Sequence, residues 1–297
     1  MESVIVGLHG GTGNQMFQYA LGLALSLKNN VPLILDLYGF TFDKFYKRKY
    51  VLEAFNIDKG EFQTCCKPYM FNLARFLRYL SRKTSIVHSL SRHCFIVEQS
   101  KNFDERFLNI EVRRPMYLMG YWQDERYFNL IKNKIREEFS LKHGFSHMNE
   151  KIAKIISDKN AVALHCRRLH EVRSEAETEP FSQAQEKSIT LNFNYYQKAI
   201  EYIANRINNP HFFVFSDMPK WARENLQVSL PITFLENNRG LDYEDILLMS
   251  LCKHHIIANS SFSWWGAWLG EKEGQIVISP KNAAYAPNIP ERWIRVE

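Results

Sequence analysis

The apolar residues of this chain alternate between short continuous runs and helical spacing. Residues 4–8 form a short apolar run, and apolar residues then recur every three or four positions between 15 and 28. A second apolar run, 31–35, ends at Asp36. A short run indicates a buried strand, whereas the wider spacing indicates one face of a helix. The start of the chain is therefore predicted to form a β-α-β unit.

The same alternation continues through the chain and predicts its fold class. Further predicted strands are 116–119, 161–165, 211–215, 232–235, 255–258 and 276–278, and further predicted helices are 124–139, 195–207 and 243–252. Residues 38–114 are polar, basic and irregular and elaborate the first domain, and 140–149 form a candidate linker. The alternation predicts an α/β protein with two doubly wound domains facing one another, residues 1–150 and 151–297.

The most distinctive segment of the sequence is 259–268, directly after the apolar run 256–258. It joins four small polar side chains to three tryptophans. Loops at the carboxyl ends of strands are where open α/β sheets bind ligands. Trp264, Trp265 and Trp268 are predicted to be core residues on one helical face. The hydroxyl groups beside them need hydrogen-bond partners, for which a ligand phosphate is suitable.

The charge of the chain suits an anionic partner. The 297 residues carry a formal net charge of +6, with a pI of about 8.9, which favours a phosphate-bearing ligand or an anionic surface. Basic residues are densest between 44 and 92, where 71–80 predict a basic amphipathic helix. A solvated basic face is the simplest interpretation, and peripheral membrane contact through 71–82 stays open. No motif supports nucleic-acid binding.

The cysteine pattern argues against both a disulfide framework and a zinc site. The five cysteines are odd in number and lack C-x-x-C spacing. No apolar segment has the length of a signal peptide or a membrane span. We therefore expect a cytoplasmic, reduced protein.

A glycine-rich loop follows the first predicted strand. Gly11-Thr12-Gly13 would let backbone amides approach a ligand closely at the start of a helix. The dinucleotide fingerprint requires another glycine where Met16 stands, so a nicotinamide enzyme with Asp36 on the ribose is disfavoured.

An arginine pair follows the strand that opens the second half. In His165-Cys166-Arg167-Arg168, the two guanidinium groups suit a diphosphate, because each can form charge-assisted pairs of hydrogen bonds. An interdomain salt bridge is the alternative, but the position at a strand's carboxyl end favours ligand binding.

The acidic residues do not form a recognisable metal motif. A D-x-D signature is absent, and Glu175, Glu177 and Glu179 precede Pro180 in a stretch without periodicity. A solvated loop explains them better than a metal site. With arginines available to offset diphosphate charge, we expect metal-independent chemistry that needs no cofactor.

Six segments together resemble the bacterial α-1,2-fucosyltransferases of glycosyltransferase family 11. They are 10–20 (GGTGNQMFQYA), 120–124 (GYWQD), 215–217 (FSD) with Trp221, 244–250 (EDILLMS), 259–269 (NSSFSWWGAWL) and 279–281 (SPK). They occur in the family's order along nearly the whole chain. Each segment alone is modest support, whereas the set is specific.

The resemblance implies a GT-B architecture, with a cleft between two Rossmann-like domains. The first would lie on the acceptor side and the second would bind the GDP-sugar. It further implies inverting, metal-independent transfer of L-fucose from GDP-fucose to a glycan hydroxyl, with the 2-OH of galactose the common target. The setting it implies is the synthesis of a bacterial surface polysaccharide.

The resemblance also assigns residues. Arg167 matches the arginine that grips the pyrophosphate, Asp217 would face guanine or ribose, and His165 would order the arginine loop. The implied substrate-binding residues are Asn14, Gln15, His165, Arg168, Asp217, Asn259, Ser261, Phe262 and Ser263.

One departure from the family pattern concerns the proton acceptor. The glycine and aspartate that usually follow the arginines are here Leu169 and His170. His170 has a suitable pKa in principle, and Glu171 lies one position further along. Either could be the base; both could equally be ordinary loop residues, with the departing phosphate assisting transfer.

Three functions therefore compete at this point. The first is a GDP-fucose-dependent fucosyltransferase. The second is a family relative that uses another sugar nucleotide or forms another linkage. The third is a catalytically weak protein that binds sugar nucleotides or glycans, for which the altered arginine segment is the motive.

Overall fold

The computed structural model describes residues 2–41, 43, 47–57, 62–81, 94–168, 191–226, 228–236, 240–281 and 288–297. Within these ranges the chain divides into two compact units, Met1–His143 and Gly144–Glu297. Each unit has its own parallel sheet. Among the described residues, no helix combines the length and the apolar character needed to cross a membrane.

The first unit contains a five-stranded sheet in its described residues. The strands are β1 (Ser3–Gly7), β2 (Leu33–Asp36), β3 (Phe62–Cys65), β4 (Phe95–Val97) and β5 (Pro115–Met119), and the helices are α1 (Thr12–Asn29), α2 (Pro68–Ser81) and α3 (Lys132–Glu138). Short 3₁₀ turns lie at Leu37–Thr41, Leu52–Ala54, Glu105–Asn109, Glu125–Tyr127 and Asn129–Ile131. The strand order is β3-β2-β1-β5-β4, and each pairing is parallel.

The second unit contains a six-stranded parallel sheet in its described residues. The strands are β6 (Asn160–Cys166), β7 (Pro210–Ser216), β8 (Ile232–Leu235), β9 (His254–Ile256), β10 (Val277–Pro280) and β11 (Ile294–Val296), and the helices are α4 (His147–Ser157), α5 (Phe193–Ala204), α6 (Pro219–Asn225), α7 (Asp242–Leu251) and α8 (Ser261–Leu269). The strand order, β11-β10-β9-β6-β7-β8, is that of a Rossmann sheet with β6 as its first strand.

The central strands are buried on both faces, as parallel strands covered by helices are. All five residues of β1 are buried. The following helix, α1, ends where Asn30 adopts a left-handed conformation (φ 52°) and its N–H bonds to Leu27 O and Ser26 O, a common helix C-cap. The β-α-β unit predicted from the apolar pattern is therefore confirmed.

Each sheet has one point at which its strand order reverses direction. In the first unit this switch point lies between β1 and β5, and in the second unit between β6 and β9. Open α/β sheets bind ligands at such points, outside the carboxyl ends of the strands. The loops after these four strands are therefore the places to examine for a site.

The tryptophans of α8 belong to the core, as predicted. Trp264, Trp265 and Trp268 are at most 2% exposed. The Trp264 and Trp268 rings stack at 6.0 Å between centroids, and Trp293 packs on Trp264 at 5.6 Å. This buried packing fixes the position of α8, and with it the amino-terminal end of the helix, which follows β9.

The boundary between the units precedes the expected one at 150, because α4 belongs to the second unit. The buried carboxylate of Glu244 accepts hydrogen bonds from the Ser146 backbone N–H (3.0 Å), from its hydroxyl (2.9 Å) and from Asn149 Nδ2 (2.6 Å). Glu244 of α7 thus holds the start of α4, which lies within residues 140–149, the segment expected to be a linker.

Two other segments differ from the prediction. The helix expected over 124–139 is shortened to α3, because Asp124 accepts from the Arg126 backbone N–H (2.9 Å) and caps a separate 3₁₀ turn. The region 38–114, expected to be irregular, supplies both edge strands of the first sheet, β3 and β4. The amphipathic helix expected over 71–80 is present within α2.

Candidate functional site

Three loops meet at the carboxyl edge of the second sheet. The β6–β7 register pairs Cys166 with Ser216, so Arg167 and Asp217 follow at the same level. On its other side β6 pairs with β9, after which the chain passes through Asn259 into α8. The sheet therefore brings the arginine pair, Asp217 and the start of α8 to one edge.

Asp217 holds the arginine segment. Its Oδ1 accepts a hydrogen bond from the Arg168 backbone N–H at 2.8 Å, and Arg167 Nε lies 3.2 Å from its Oδ2 as an ion pair. In this structure its carboxylate contacts the side chain of Arg167 and the backbone N–H of Arg168. The contact of Asp217 with guanine or ribose that the resemblance implies stays a prediction.

Trp221 fixes the second arginine. The guanidinium carbon of Arg168 lies 3.8 Å from the centroid of the Trp221 ring, a cation–π contact. Trp221 belongs to α6, the helix that follows Asp217. The same strand–helix connection therefore orients both the backbone and the side chain of Arg168.

His165 is buried behind the arginines. Its ring is 3% exposed and lies 5.5 Å from that of Phe262, centroid to centroid. Burial, with a smaller effect of Arg167, lowers the pKa of His165 from 6.5 to about 3. The ring therefore packs between β6 and α8 in its neutral form, and its ordering of the arginine loop stays a prediction.

The start of α8 uses its polar side chains in different ways. Ser260 caps the helix by accepting from the Phe262 N–H, and buried Ser263 accepts from the Ala258 N–H at 3.2 Å. Ser263, expected to contact the nucleotide, thus holds the loop in this structure. Asn259 is buried, whereas Ser261 is only partly buried at the helix N-terminus, where backbone N–H groups favour an anion.

The glycine loop of the first unit is shaped around Asn14. Gly10 has φ +85°, and a Cβ there would lie 2.8 Å from Asn14 Nδ2, so glycine is required for both reasons. Asn14 Oδ1 accepts a hydrogen bond from Gln123 Nε2 at 2.8 Å. This bond crosses the switch point, from the loop after β5 to the first turn of α1, which follows the glycine loop.

Two polar residues near this loop have structural roles. Gln15 is 1% exposed; its amide donates to Gly10 O and Lys49 O and accepts from the Val51 N–H. It therefore holds the loop against 49–51, where the resemblance implied substrate contact. Asp36 is buried and accepts from Tyr117 OH at 2.6 Å, which agrees with the rejection of a nicotinamide site.

The segment 120–124 has a strained turn that sequence reasoning did not anticipate. Trp122 has φ +48°, a conformation that costs a bulky residue about 1–3 kcal/mol. Glu98 compensates by accepting from the Tyr121 N–H (2.9 Å) and the Trp122 N–H (2.8 Å), while Arg78 bonds the same carboxylate at 3.0 Å. No pattern in the sequence pointed to Glu98, since these contacts join three separate elements.

His9 was also not identified from the sequence. Its ring lies 4.7 Å from that of Tyr121, centroid to centroid, at a tilt of 35°, and burial lowers the pKa of His9 to about 4. The only signal was its position immediately before Gly10.

Several predicted residues lie outside the described ranges. These are the two candidate bases His170 and Glu171 and the acidic residues Glu175, Glu177 and Glu179. Among the residues that are described, no group of three or more His, Cys, Asp or Glu side chains converges as a metal site would require.

The fold is of the GT-B type. The fucosyltransferase NodZ from Bradyrhizobium superposes with a TM-score of 0.52, over 97% of this chain and 97% of that one, at 13% sequence identity. At that identity the similarity defines the fold. The GT-B architecture implied by the sequence resemblance is thereby confirmed.

The sequence comparisons then define the family. The model of "Glycosyl transferase family 11" matches residues 82–292, and the chain belongs to that family. An Escherichia coli alpha-1,2-colitosyltransferase is 33% identical over the whole of both chains. The O-antigen biosynthesis glycosyltransferase WbnK of Escherichia coli is 32% identical over 92% of each. A galactoside alpha-(1,2)-fucosyltransferase of Rattus norvegicus is 24% identical over 88% of this chain and 61% of its own.

The lowered pKa of His165 predicts a pH dependence of stability. Between about pH 3 and 6.5 the unfolded chain binds a proton at this residue that the folded protein does not, so its contribution to stability is complete above pH 6.5 and is lost as the pH falls. His165→Gln should reduce the slope of unfolding free energy against pH by up to about 1.4 kcal/mol per pH unit.

Urea unfolding of both proteins between pH 7.5 and 4 measures this slope. The matched control is His147→Gln, on the exposed start of α4, which should leave the slope unchanged. Parallel slopes for His165→Gln and the unsubstituted protein would contradict the assignment.

Proposed function

We propose that this family 11 glycosyltransferase transfers L-fucose from GDP-fucose to a glycan hydroxyl, the 2-OH of galactose, with inversion and without a metal. The observation that carries the proposal is the arginine pair at the end of β6, ordered by Asp217 and Trp221. The α-1,2 linkages in the names of two relatives support the 2-OH as the target.

The electrostatics of the second unit suit a departing nucleoside diphosphate. Arg167 and Arg168 present fixed positive charge, and the amino-terminal end of α8 adds backbone N–H groups beside Ser261. Preorganised donors of this kind stabilise charge that develops as a bond breaks. They supply what a divalent cation supplies in metal-dependent transferases, which is why we propose metal-independent chemistry.

In the proposed reaction the acceptor oxygen attacks C1 of fucose from the face opposite GDP. The bond from acceptor oxygen to C1 forms, and the bond from C1 to the diphosphate oxygen breaks, with its electron pair leaving on GDP. The hydroxyl proton passes to a base, for which His170 and Glu171 are the candidates, or to the departing diphosphate.

GDP-colitose is the second candidate donor, favoured by the full-length similarity to a colitosyltransferase. Colitose is fucose without its 3-hydroxyl group, so the diphosphate-binding residues would be the same for both donors. The acceptor proposed in either case is a galactose-containing surface glycan, in line with the O-antigen role named for WbnK.

GDP release tests the proposal directly. GDP-fucose and GDP-colitose are incubated in EDTA, with and without lactose or N-acetyllactosamine. We expect acceptor-stimulated release from GDP-fucose that persists in EDTA. Release restored only by a divalent cation would overturn metal independence, and release from GDP-colitose alone would identify the second donor. Binding of GDP-fucose without release in any mixture would support a binding protein.

Arg167→Ala should lower kcat by about 100-fold, as loss of a charge-stabilising donor does. Steady-state kinetics with the active donor measures the effect. Arg206→Ala is the matched control. The Arg206 guanidinium also lies over an aromatic ring (Tyr202, 3.7 Å), but Arg206 is exposed and lies between the end of α5 and the start of β7, away from the carboxyl ends of the strands. Near-normal turnover of a folded Arg167→Ala variant would refute the role of Arg167.

We also propose that α2 holds the protein against the cytoplasmic face of an anionic membrane. Its exposed face carries Tyr69, Phe76 and Tyr79, which are 78%, 56% and 55% exposed, with exposed Arg75 between them. Aromatic side chains with flanking cations favour a lipid interface.

Sedimentation with phosphatidylglycerol vesicles should show binding that weakens as salt is raised. Phe76→Ser with Tyr79→Ser should reduce it several-fold, since apolar area drives insertion. Leu130→Ser, which removes a still more exposed apolar side chain elsewhere in the unit (95% exposed), is the control. Equal binding by both variants would refute the role of α2.

A further inference from the structure

The segment Gly120 to Asp124 has no role in the reaction as described so far. We propose that Gln123 is a positioning residue for Asn14: it orients the Asn14 carboxamide so that Nδ2 faces the substrate at the carboxyl end of β1. The inference rests on the proposed function, in which Asn14 belongs to the substrate-binding loop.

The hydrogen bond between the two amides defines one orientation. Gln123 donates through Nε2, so the atom it contacts at 2.8 Å is the acceptor Oδ1 of Asn14. Nδ2 of Asn14 then lies on the side of Gly10, at 2.8 Å from where a Cβ of that residue would be. Because Gly10 has no side chain, the space that a Cβ would fill is left to the Asn14 amide group.

The position of Gln123 depends on the strained turn before it. Left-handed Trp122 (φ +48°) immediately precedes Gln123, whose side chain reaches Asn14 in the first turn of α1. Strain of this kind persists where surrounding contacts over-determine it, and it concentrates at functional sites. The strained turn is therefore a candidate for a functional role.

Glu98 holds the strained turn in place through several contacts. Its two carboxylate oxygens accept the consecutive N–H groups of Tyr121 and Trp122, and Arg78 completes the set. A Cβ on Gly120 would approach the Cβ of Glu98 to 2.4 Å, so only glycine allows the carboxylate to come this close.

The remaining residues of the segment hold the turn from its other sides. The Trp122 ring is 1% exposed and meets Phe107 edge-on at 6.2 Å. Asp124 caps the following 3₁₀ turn. Gln123 is the partly exposed member between these two buried residues, and its side chain bonds across the switch point to the glycine loop.

A double-mutant cycle separates positioning from general structural support. If Gln123 acts through Asn14, Gln123→Leu should lower kcat/KM by about tenfold in the native background, the effect of one lost hydrogen bond. It should have no further effect when Asn14 is already alanine. We expect the loss to fall mainly on kcat, with unchanged thermal unfolding.

Two further variants give the cycle a conservative comparison and a control. Gln123→Glu can only accept a hydrogen bond, so it should turn the Asn14 amide around and be at least as damaging as leucine. Gln63→Leu, the same change at an exposed position of β3, should leave the kinetics unchanged.

The outcomes distinguish this inference from the proposed function. A silent Asn14→Ala would remove Asn14 from the site, and with it the basis of the inference. If Asn14→Ala is damaging, three results would overturn the positioning role of Gln123 and leave the proposed function intact. They are normal activity of Gln123→Leu, normal activity of Gln123→Glu, and losses that multiply in the double variant.

Discussion

Parallel pairing of buried strands is the constraint on which the rest of the structure depends. The interior of each sheet is mostly apolar, and the arginine pair and Asp217 follow directly where their strands end. The β6–β7 register places Arg167 and Asp217 side by side after Cys166 and Ser216. A slip of one residue would turn every side chain of β6 to the opposite face, so the register that buries the core also forms the ion pair.

The two units handle charge at their strand ends in different ways. In the first unit Glu98 and Arg78 are largely buried, at 8% and 16% side-chain exposure, and the carboxylate also receives two backbone N–H groups. The charges of Glu98 and Arg78 are therefore paired with each other, and the ion pair holds the turn at Trp122 in its conformation. In the second unit the Asp217 carboxylate pairs with the Arg167 side chain and the Arg168 backbone N–H, while the Arg168 guanidinium lies over the Trp221 ring.

The sequence predicted what depends on local pattern. Strand ends, helical faces and the arginine pair are visible in runs of a few residues, and Ile232–Leu235 was placed to the residue. The edge strands β3, β4 and β11 were missed, because polar residues interrupt β3 and β11 and β4 is a run of only three apolar residues. The contacts of Gln15, Ser263 and Asp217 within the protein could not be predicted, because each is a hydrogen bond to a residue distant in the chain or across a loop. Their contacts with substrate stay predictions.

In the proposed reaction, donor choice cannot lie with the arginine pair, because fucose and colitose are presented on the same diphosphate. It must lie with groups that touch the sugar ring, and there the energetics are asymmetric. A site that hydrogen-bonds the 3-hydroxyl leaves buried polar groups unpaired with a deoxy sugar and can reject it by about 10⁴-fold or more, whereas an apolar pocket rejects an added hydroxyl by only about 10²-fold. The ratio of kcat/KM between the two donors therefore reports the character of the pocket as well as its preference. A large ratio in favour of GDP-fucose indicates a polar partner for that hydroxyl, and a modest ratio in favour of GDP-colitose indicates an apolar surface in its place.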